Sequence, residues 1–218
     1  MKNFALFILL SSLLFLSSCG GSNTQDYYFQ LKDFKQGKVY VYESGKNGEK
    51  DYWLIKSQPN KGILTTKAYD SDFSMYNEFV EQYDDDGSKL IKYVDYWKED
   101  GMPMGGIQYD IKQNGVINWS SSESAEFILS NEHVLINKSR NYQSETTVNV
   151  LGKEVEALVF EDIYKSSNSD QEYTTIRYYA KDYGLVRIEY GKESNLDPLN
   201  LVEIIDMKTW EELKALNK

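Results

Sequence analysis

The chain has 218 residues, 14% of which are aromatic, and a formal net charge of −10 at pH 7. A domain this acidic repels phosphate backbones, so we expect no nucleic acid among its partners. The single cysteine excludes a disulfide framework and cysteine-based zinc sites.

The N-terminal residues follow the order of an export signal. Lys2 provides a basic start, and an apolar core then runs from Phe4 to Leu16, interrupted by two serines. About 13 such residues match a signal-peptide core and are too few to span a bilayer as a helix. The junction that follows, Leu16-Ser17-Ser18-Cys19, resembles the lipobox of bacterial lipoproteins.

The lipobox resemblance implies a lipid anchor. Signal peptidase II would remove residues 1–18, and Cys19 would carry acyl chains, palmitate among them, that hold the protein on a membrane. More than one acyl chain gives stable attachment, whereas a single chain is marginal. An ordinary signal peptide that leaves Cys19 as a free thiol is the alternative, although one reactive thiol has no evident use in an exported protein.

The residues after the anchor set the domain limits. Residues 19–26 have the glycine, serine and polar composition of a flexible, lipidated tether, and residues 27–218 are predicted to form one antiparallel β domain. Gly20, in place of aspartate, resembles the sorting pattern of outer-membrane lipoproteins. We therefore expect a lipid-anchored protein of the cell envelope, on the outer membrane. The sequence leaves open whether it lies on the periplasmic face or on the cell surface.

Short segments of alternating polarity follow one another with turn residues between them, which is typical of an all-β domain. In the first segment Val39 and Val41 share one side, and Tyr40 and Tyr42 share the other. Hairpin turns are predicted at residues 45–48, 59–62, 84–87, 114–115, 151–153 and around 184. Residues 120–130 fit either a helical turn or the start of a strand.

The C-terminal residues predict a short helix. Thr209 and Glu212 have the spacing of a capping box, and the helix should run through Leu216. So short a helix needs tertiary support, so Trp210 and Leu213 are expected to pack on the sheet. The predicted fold is a single antiparallel, strongly curved sheet or open barrel with a short C-terminal helix.

Two stretches resemble uncharacterised bacterial envelope proteins related to the lipoprotein-carrier (LolA/LolB-like) open barrels. They are residues 147–160, with Val148, Gly152 and Phe160, and residues 178–186, with Ala180 and Gly184. The resemblance implies a curved sheet wrapped round a helix or a cavity, which holds acyl chains in the carrier branch. It supplies no catalytic residues.

The residues give little support for catalysis or metal binding. His133 is the only histidine, so a Ser-His-Asp triad or a multi-histidine site would depend on it, and a surface position is the better interpretation. Residues 84–86 are three aspartates, which could bind calcium weakly, but their spacing fails the EF-hand pattern and favours a solvated turn. We expect no enzyme activity, no metal and no cofactor.

The strongest candidate for ligand contact is the glycine-rich stretch 97–106. Trp97, Met102 and Met104 could form an adaptable apolar lip there, with Trp119 as a further contact. The competing interpretation is a long hairpin connection whose methionines tuck under the domain.

Three functions remain open at this point. The first is a non-enzymatic carrier or scaffold domain for an apolar ligand, such as a lipid, or for an envelope protein. The second is a surface glycan-binding module that uses exposed aromatic rings, and the third is an envelope hydrolase.

Overall fold

A computed structural model describes residues 24–45, 48–99, 102–114, 117–119, 124–192 and 194–217. The export signal and Cys19 lie outside the described residues, as does most of the predicted tether. What the sequence predicts for them stays a prediction.

The described residues form thirteen strands and one α-helix. The strands are β1 Lys38–Ser44, β2 Lys50–Gln58, β3 Ile63–Tyr69, β4 Met75–Tyr83, β5 Gly87–Glu99, β6 Met102–Gln113, β7 Ile117–Asn118, β8 Ala125–Ser130, β9 Leu135–Val150, β10 Lys153–Ser166, β11 Glu172–Ala180, β12 Gly184–Tyr190 and β13 Leu199–Asp206. The helix, α1, is Met207–Leu216, and short 3₁₀ helices lie at Thr24–Tyr27, Leu31–Phe34 and Pro59–Lys61.

The strands make one antiparallel sheet that curls into a nearly closed barrel. Each strand pairs with the next along the chain, except that the short β7 pairs with β5 while β6 pairs with β8. Strands β1 and β13 complete the ring over their full length. One weak seam remains between β12 and β13, which pair only at Arg187–Asn200 and Ile188–Leu199. The predicted curved sheet or open barrel with a C-terminal helix is confirmed.

Both faces of β1 are buried, with the sidedness that the sequence predicts. Tyr40 and Tyr42 belong to the large core inside the barrel. Val39 and Val41 belong to a second core on the outer face, which α1 covers. Aromatic side chains fill much of both cores.

Helix α1 begins three residues earlier than the predicted capping box implies. Asp206 is the N-cap, and its Oδ1 accepts a hydrogen bond from the Thr209 amide at 2.8 Å. The predicted packing is confirmed: Trp210 is fully buried against three aromatic rings of the outer core, and Leu213 packs beside it. The helix lies outside the barrel rather than within it.

Strands β6 and β7, on either side of the turn predicted at 114–115, do not pair with each other in the described residues. Strand β7 forms its ladder with Gly87 and Ser88 of β5, not with β6. The Asn114 side chain bonds the backbone of Leu90 instead, accepting from its amide at 3.1 Å and donating to its carbonyl. The ambiguous stretch after residue 120 becomes strand β8 from Ala125.

The N-terminal segment packs inside the barrel. The Thr24 amide donates to the Trp119 carbonyl at 2.8 Å, and the Thr24 hydroxyl donates to the Asn118 carbonyl at 2.9 Å. Further along, Phe29 packs so closely on Gly184 that a Cβ at that glycine would lie 2.3 Å from the Phe29 ring. The folded part therefore includes residues 24–26, which the sequence assigns to the tether.

Candidate ligand-binding cavity

A cavity of about 320 Å³ lies inside the barrel. This volume is at the lower end of the range for small-molecule sites, roughly 300–1,000 Å³. Much of its wall is aromatic or aliphatic. The N-terminal segment and several strands around the barrel contribute these side chains. These residues include Tyr28, Phe29, Trp53, Phe79, Phe127 and Ile188.

A buried ionic cluster lies at one side of the cavity. The Asp162 carboxylate accepts two hydrogen bonds from Arg140, from Nε to Oδ1 and from Nη2 to Oδ2, both at 2.7 Å. Lys138 Nζ and Arg177 Nε each lie 3.1 Å from Asp162 Oδ2. Three cations from β9 and β11 thus surround one carboxylate from β10.

Neighbouring rings support the three cations. The Lys138 ammonium lies 5.3 Å from the ring centroids of both Phe127 and Tyr164, and the Arg140 guanidinium lies 5.1 Å from the Tyr179 centroid. Aromatic faces attract cations, most strongly where water is excluded. Arg177 also donates from Nη2 to the Tyr164 hydroxyl at 3.1 Å.

The cluster changes the protonation of its members. Burial alone would raise the pKa of Asp162, but the nearby Arg140, Lys138 and Arg177 outweigh it and hold that pKa well below its ordinary value. Burial lowers the pKa of Lys138 to about 8, even though the Asp162 carboxylate acts in the opposite direction. Asp162 is therefore ionised at neutral pH, and Lys138 is mostly so.

A second acid, Glu81 of β4, faces the cavity. Its Oε1 accepts a hydrogen bond from the Ser88 hydroxyl at 3.1 Å. Burial raises the pKa of Glu81, while Arg140, Lys138 and Arg177 act against that rise. Within the described residues, no ion-pair contact joins Glu81 to the three cations.

The sequence conceals this cluster because its register depends on an irregularity. The turn at 151–153 predicts the β9–β10 hairpin, but the pairing shifts between Val159 and Phe160, so that Asp162 lies opposite Arg140. Without the shift, Asp162 would lie opposite Asn141 instead. A bulge of this kind is not visible in a pattern of alternating residues. The available signal was the i, i+2 spacing of Lys138 and Arg140, which places both on one face of a strand.

Of the four predicted contact residues, the two tryptophans do not lie at this cavity. Trp119 is buried in the core, where its Nε1 donates to the Asp84 carbonyl at 2.9 Å, and Trp97 is 44% exposed on β5. Neither tryptophan lines the cavity. The side chains of Met102 and Met104 lie outside the described part, so their role in binding stays a prediction.

The stretch 97–106 is not a loop. Strands β5 and β6 continue through most of it, with Trp97 opposite Gly105 and Glu99 opposite Met102. The stretch therefore forms the end of an extended hairpin rather than a long connection, while the predicted tucking of its methionine side chains lies outside the described part.

The other candidate residues occupy turns. Asp84 Oδ1 accepts from the amides of Asp86 and Gly87, and its Oδ2 lies 2.8 Å from Lys89 Nζ, which fits the solvated turn. His133 is exposed in the turn before β9, as predicted. Among the described residues, no group of three or more histidine, cysteine or acidic side chains could hold a metal ion.

No helix in the described ranges has the length and apolar character needed to cross a membrane.

No protein-family model and no curated protein matches this sequence. The fold is similar to that of a protein from Parabacteroides distasonis ATCC 8503, described with its 2.70 Å crystal structure as a "putative lipoprotein". The two structures superpose with a TM-score of 0.50 at 14% identity, over 82% of this chain and 97% of the other. At that identity, the similarity establishes the fold alone.

Proposed function

We propose that this protein is a lipid-anchored envelope lipoprotein whose barrel is a non-enzymatic binding or carrier domain for a small, largely apolar ligand. The observation that carries the proposal is the cavity of about 320 Å³ inside the barrel, with its aromatic and aliphatic wall. Small-molecule sites are concave and mostly apolar, with a few polar groups that orient the ligand.

The lipid anchor rests on the N-terminal residues. The basic start, the apolar core and the Leu16-Ser17-Ser18-Cys19 junction occur in the order of a lipoprotein signal. The description of the structural neighbour as a lipoprotein is consistent with this assignment. Outer-membrane placement rests on Gly20 alone and is part of the same proposal.

A surface glycan site fits the structure less well. Such a site would present two or three coplanar rings on an exposed face. The exposed aromatic side chains of the described residues are Trp97 on β5 and Tyr173 on β11, and these two strands do not pair with each other. The geometry therefore favours the interior over the surface.

Filling the cavity tests the proposal. Leu90 lines the cavity, whereas its neighbour Ile91 does not line it and is 45% exposed. We expect Leu90→Trp to weaken binding of the neutral fluorescent probe N-phenyl-1-naphthylamine to the domain that starts at Thr24 by at least about tenfold, because the added ring occupies the site.

Ile91→Trp is the matched control and should bind the probe as the unaltered domain does. Thermal unfolding of each variant checks that the barrel is intact. If the unaltered domain does not bind the probe, or if both tryptophan variants bind it equally well, the cavity is not the ligand site.

A further inference from the structure

We infer that the ligand carries an anionic group of the carboxylate or phosphate type, which binds against Lys138 and Arg177 while its apolar body lies along the aromatic wall. This inference rests on the proposed function and specifies its ligand class.

The charged side chains that line the cavity do not balance. Three are cations, Lys138, Arg140 and Arg177, and one is an acid, Glu81. Asp162 is already matched by the bidentate bonds from Arg140, which is the geometry of a strong charge-assisted pair. Lys138 and Arg177 share that same carboxylate, so positive charge is in excess on this side.

The excess charge is on the side that a ligand would meet. Lys138 and Arg177 line the cavity and have 18% and 20% of their side-chain surface exposed, whereas Asp162 is fully buried and does not line it. A ligand in the cavity therefore contacts the two cations and is separated from the carboxylate behind them.

The two cations also keep unused hydrogen-bonding capacity. An ammonium has three protons and a guanidinium has five, yet the only acceptor that Lys138 reaches among the described residues is Asp162. Arg177 reaches Asp162, Tyr164 and Thr175 through Nε and Nη2. Buried cations are costly without counter-charges, and an anionic ligand would supply one.

The cavity limits the size of that ligand. A volume of about 320 Å³ suits one medium-length chain or one aromatic body rather than a complete diacyl lipid.

Four probes with the same eight-carbon chain and different head groups test the inference: octanoate, octyl phosphate, 1-octanol and octyltrimethylammonium. Binding to the full chain in lipid nanodiscs is measured by equilibrium dialysis with radiolabelled probes, and empty nanodiscs give the blank. We expect an anionic probe to bind at least about tenfold more tightly than octanol, and the cation to bind most weakly. Tighter octyl phosphate would assign a phosphate group, and tighter octanoate a carboxylate.

Lys138→Met should remove most of the preference for anions, lowering octanoate affinity about tenfold and leaving octanol affinity within about twofold. Lys153→Met is the matched control, because Lys153 is an exposed lysine at the start of β10, and it should change neither affinity.

Equal binding of octanoate and octanol, or tightest binding of the cation, would overturn the inference and leave the proposed function standing. Failure of all four probes to bind would remove both. The comparison on the unaltered chain needs no variant, so the inference stays testable even if Lys138→Met does not fold.

Discussion

Asp162 joins three strands through one carboxylate. Its partners lie on β9 and β11, on either side of its own strand β10, so the ionic contacts reinforce the ladder across the barrel wall. A buried ion pair is not by itself strongly stabilising, because desolvation offsets much of the attraction. Removing one partner is different, since it leaves the remaining charges buried and uncompensated.

Asp162→Asn should therefore destabilise the domain by about 3–5 kcal/mol. The amide keeps the shape of the side chain but removes the one negative charge that, among the described residues, is in contact with Lys138, Arg140 and Arg177. Denaturant unfolding followed by tryptophan fluorescence gives the free energy of unfolding.

Asp110→Asn is a control for the loss of charge. Asp110 forms an exposed ion pair with Lys112 at 3.1 Å, and exposed pairs contribute about 0–1 kcal/mol. A loss of less than about 1 kcal/mol in Asp162→Asn would mean that the cluster is not a structural tie.

At the scale of single elements, local pattern predicts most strands. Alternation places Val39 and Val41 on one face of β1, and turn residues mark the β4–β5, β9–β10 and β11–β12 hairpins. Pairings that depend on distant residues or on an irregular register are not local. The contact of Asp162 with Arg140 needs a shift in the β9–β10 ladder, and the cavity needs β1 to meet β13.

The start of α1 shows how two local signals compete. Thr209 and Glu212 fit the capping-box spacing, yet Asp206, the last residue of β13, accepts the hydrogen bond from the Thr209 amide. Aspartate and threonine both serve as N-caps, and aspartate is the stronger of the two. Whether Asp206 or Thr209 caps the helix depends on where β13 ends, and composition does not reveal that position.

Asp206→Ala should lower the free energy of unfolding by about 1 kcal/mol, because the first turn of α1 loses the acceptor for the Thr209 amide. Thr209→Ala keeps that amide bond and should cost less than half as much. Thermal unfolding of the two variants decides the matter, and a larger effect of Thr209→Ala would restore the capping-box assignment.

At the scale of the whole molecule, the N-terminal segment couples the barrel to the proposed anchor. Four residues, 20–23, separate Cys19 from Thr24, and a chain of that length reaches at most about 20 Å. Thr24 is hydrogen-bonded to Asn118 and Trp119. Lipidation at Cys19 would therefore hold this end of the barrel close to the membrane surface.

The lipid anchor can be tested by substituting the cysteine that would carry it. Cys19→Ala removes the sulfur that would carry the acyl group, so the protein should stop incorporating labelled palmitate. It should also leave the membrane fraction, because each buried acyl methylene contributes about 0.8 kcal/mol to attachment. Ser18→Ala keeps a small residue before the cysteine and should remain membrane-bound and labelled. Continued palmitate labelling of Cys19→Ala would show that the lipid is attached elsewhere. If the unaltered chain incorporates no palmitate and is not held on the membrane, the N-terminus is an ordinary export signal and the lipid anchor leaves the proposal. The cavity and its cations would stand independently.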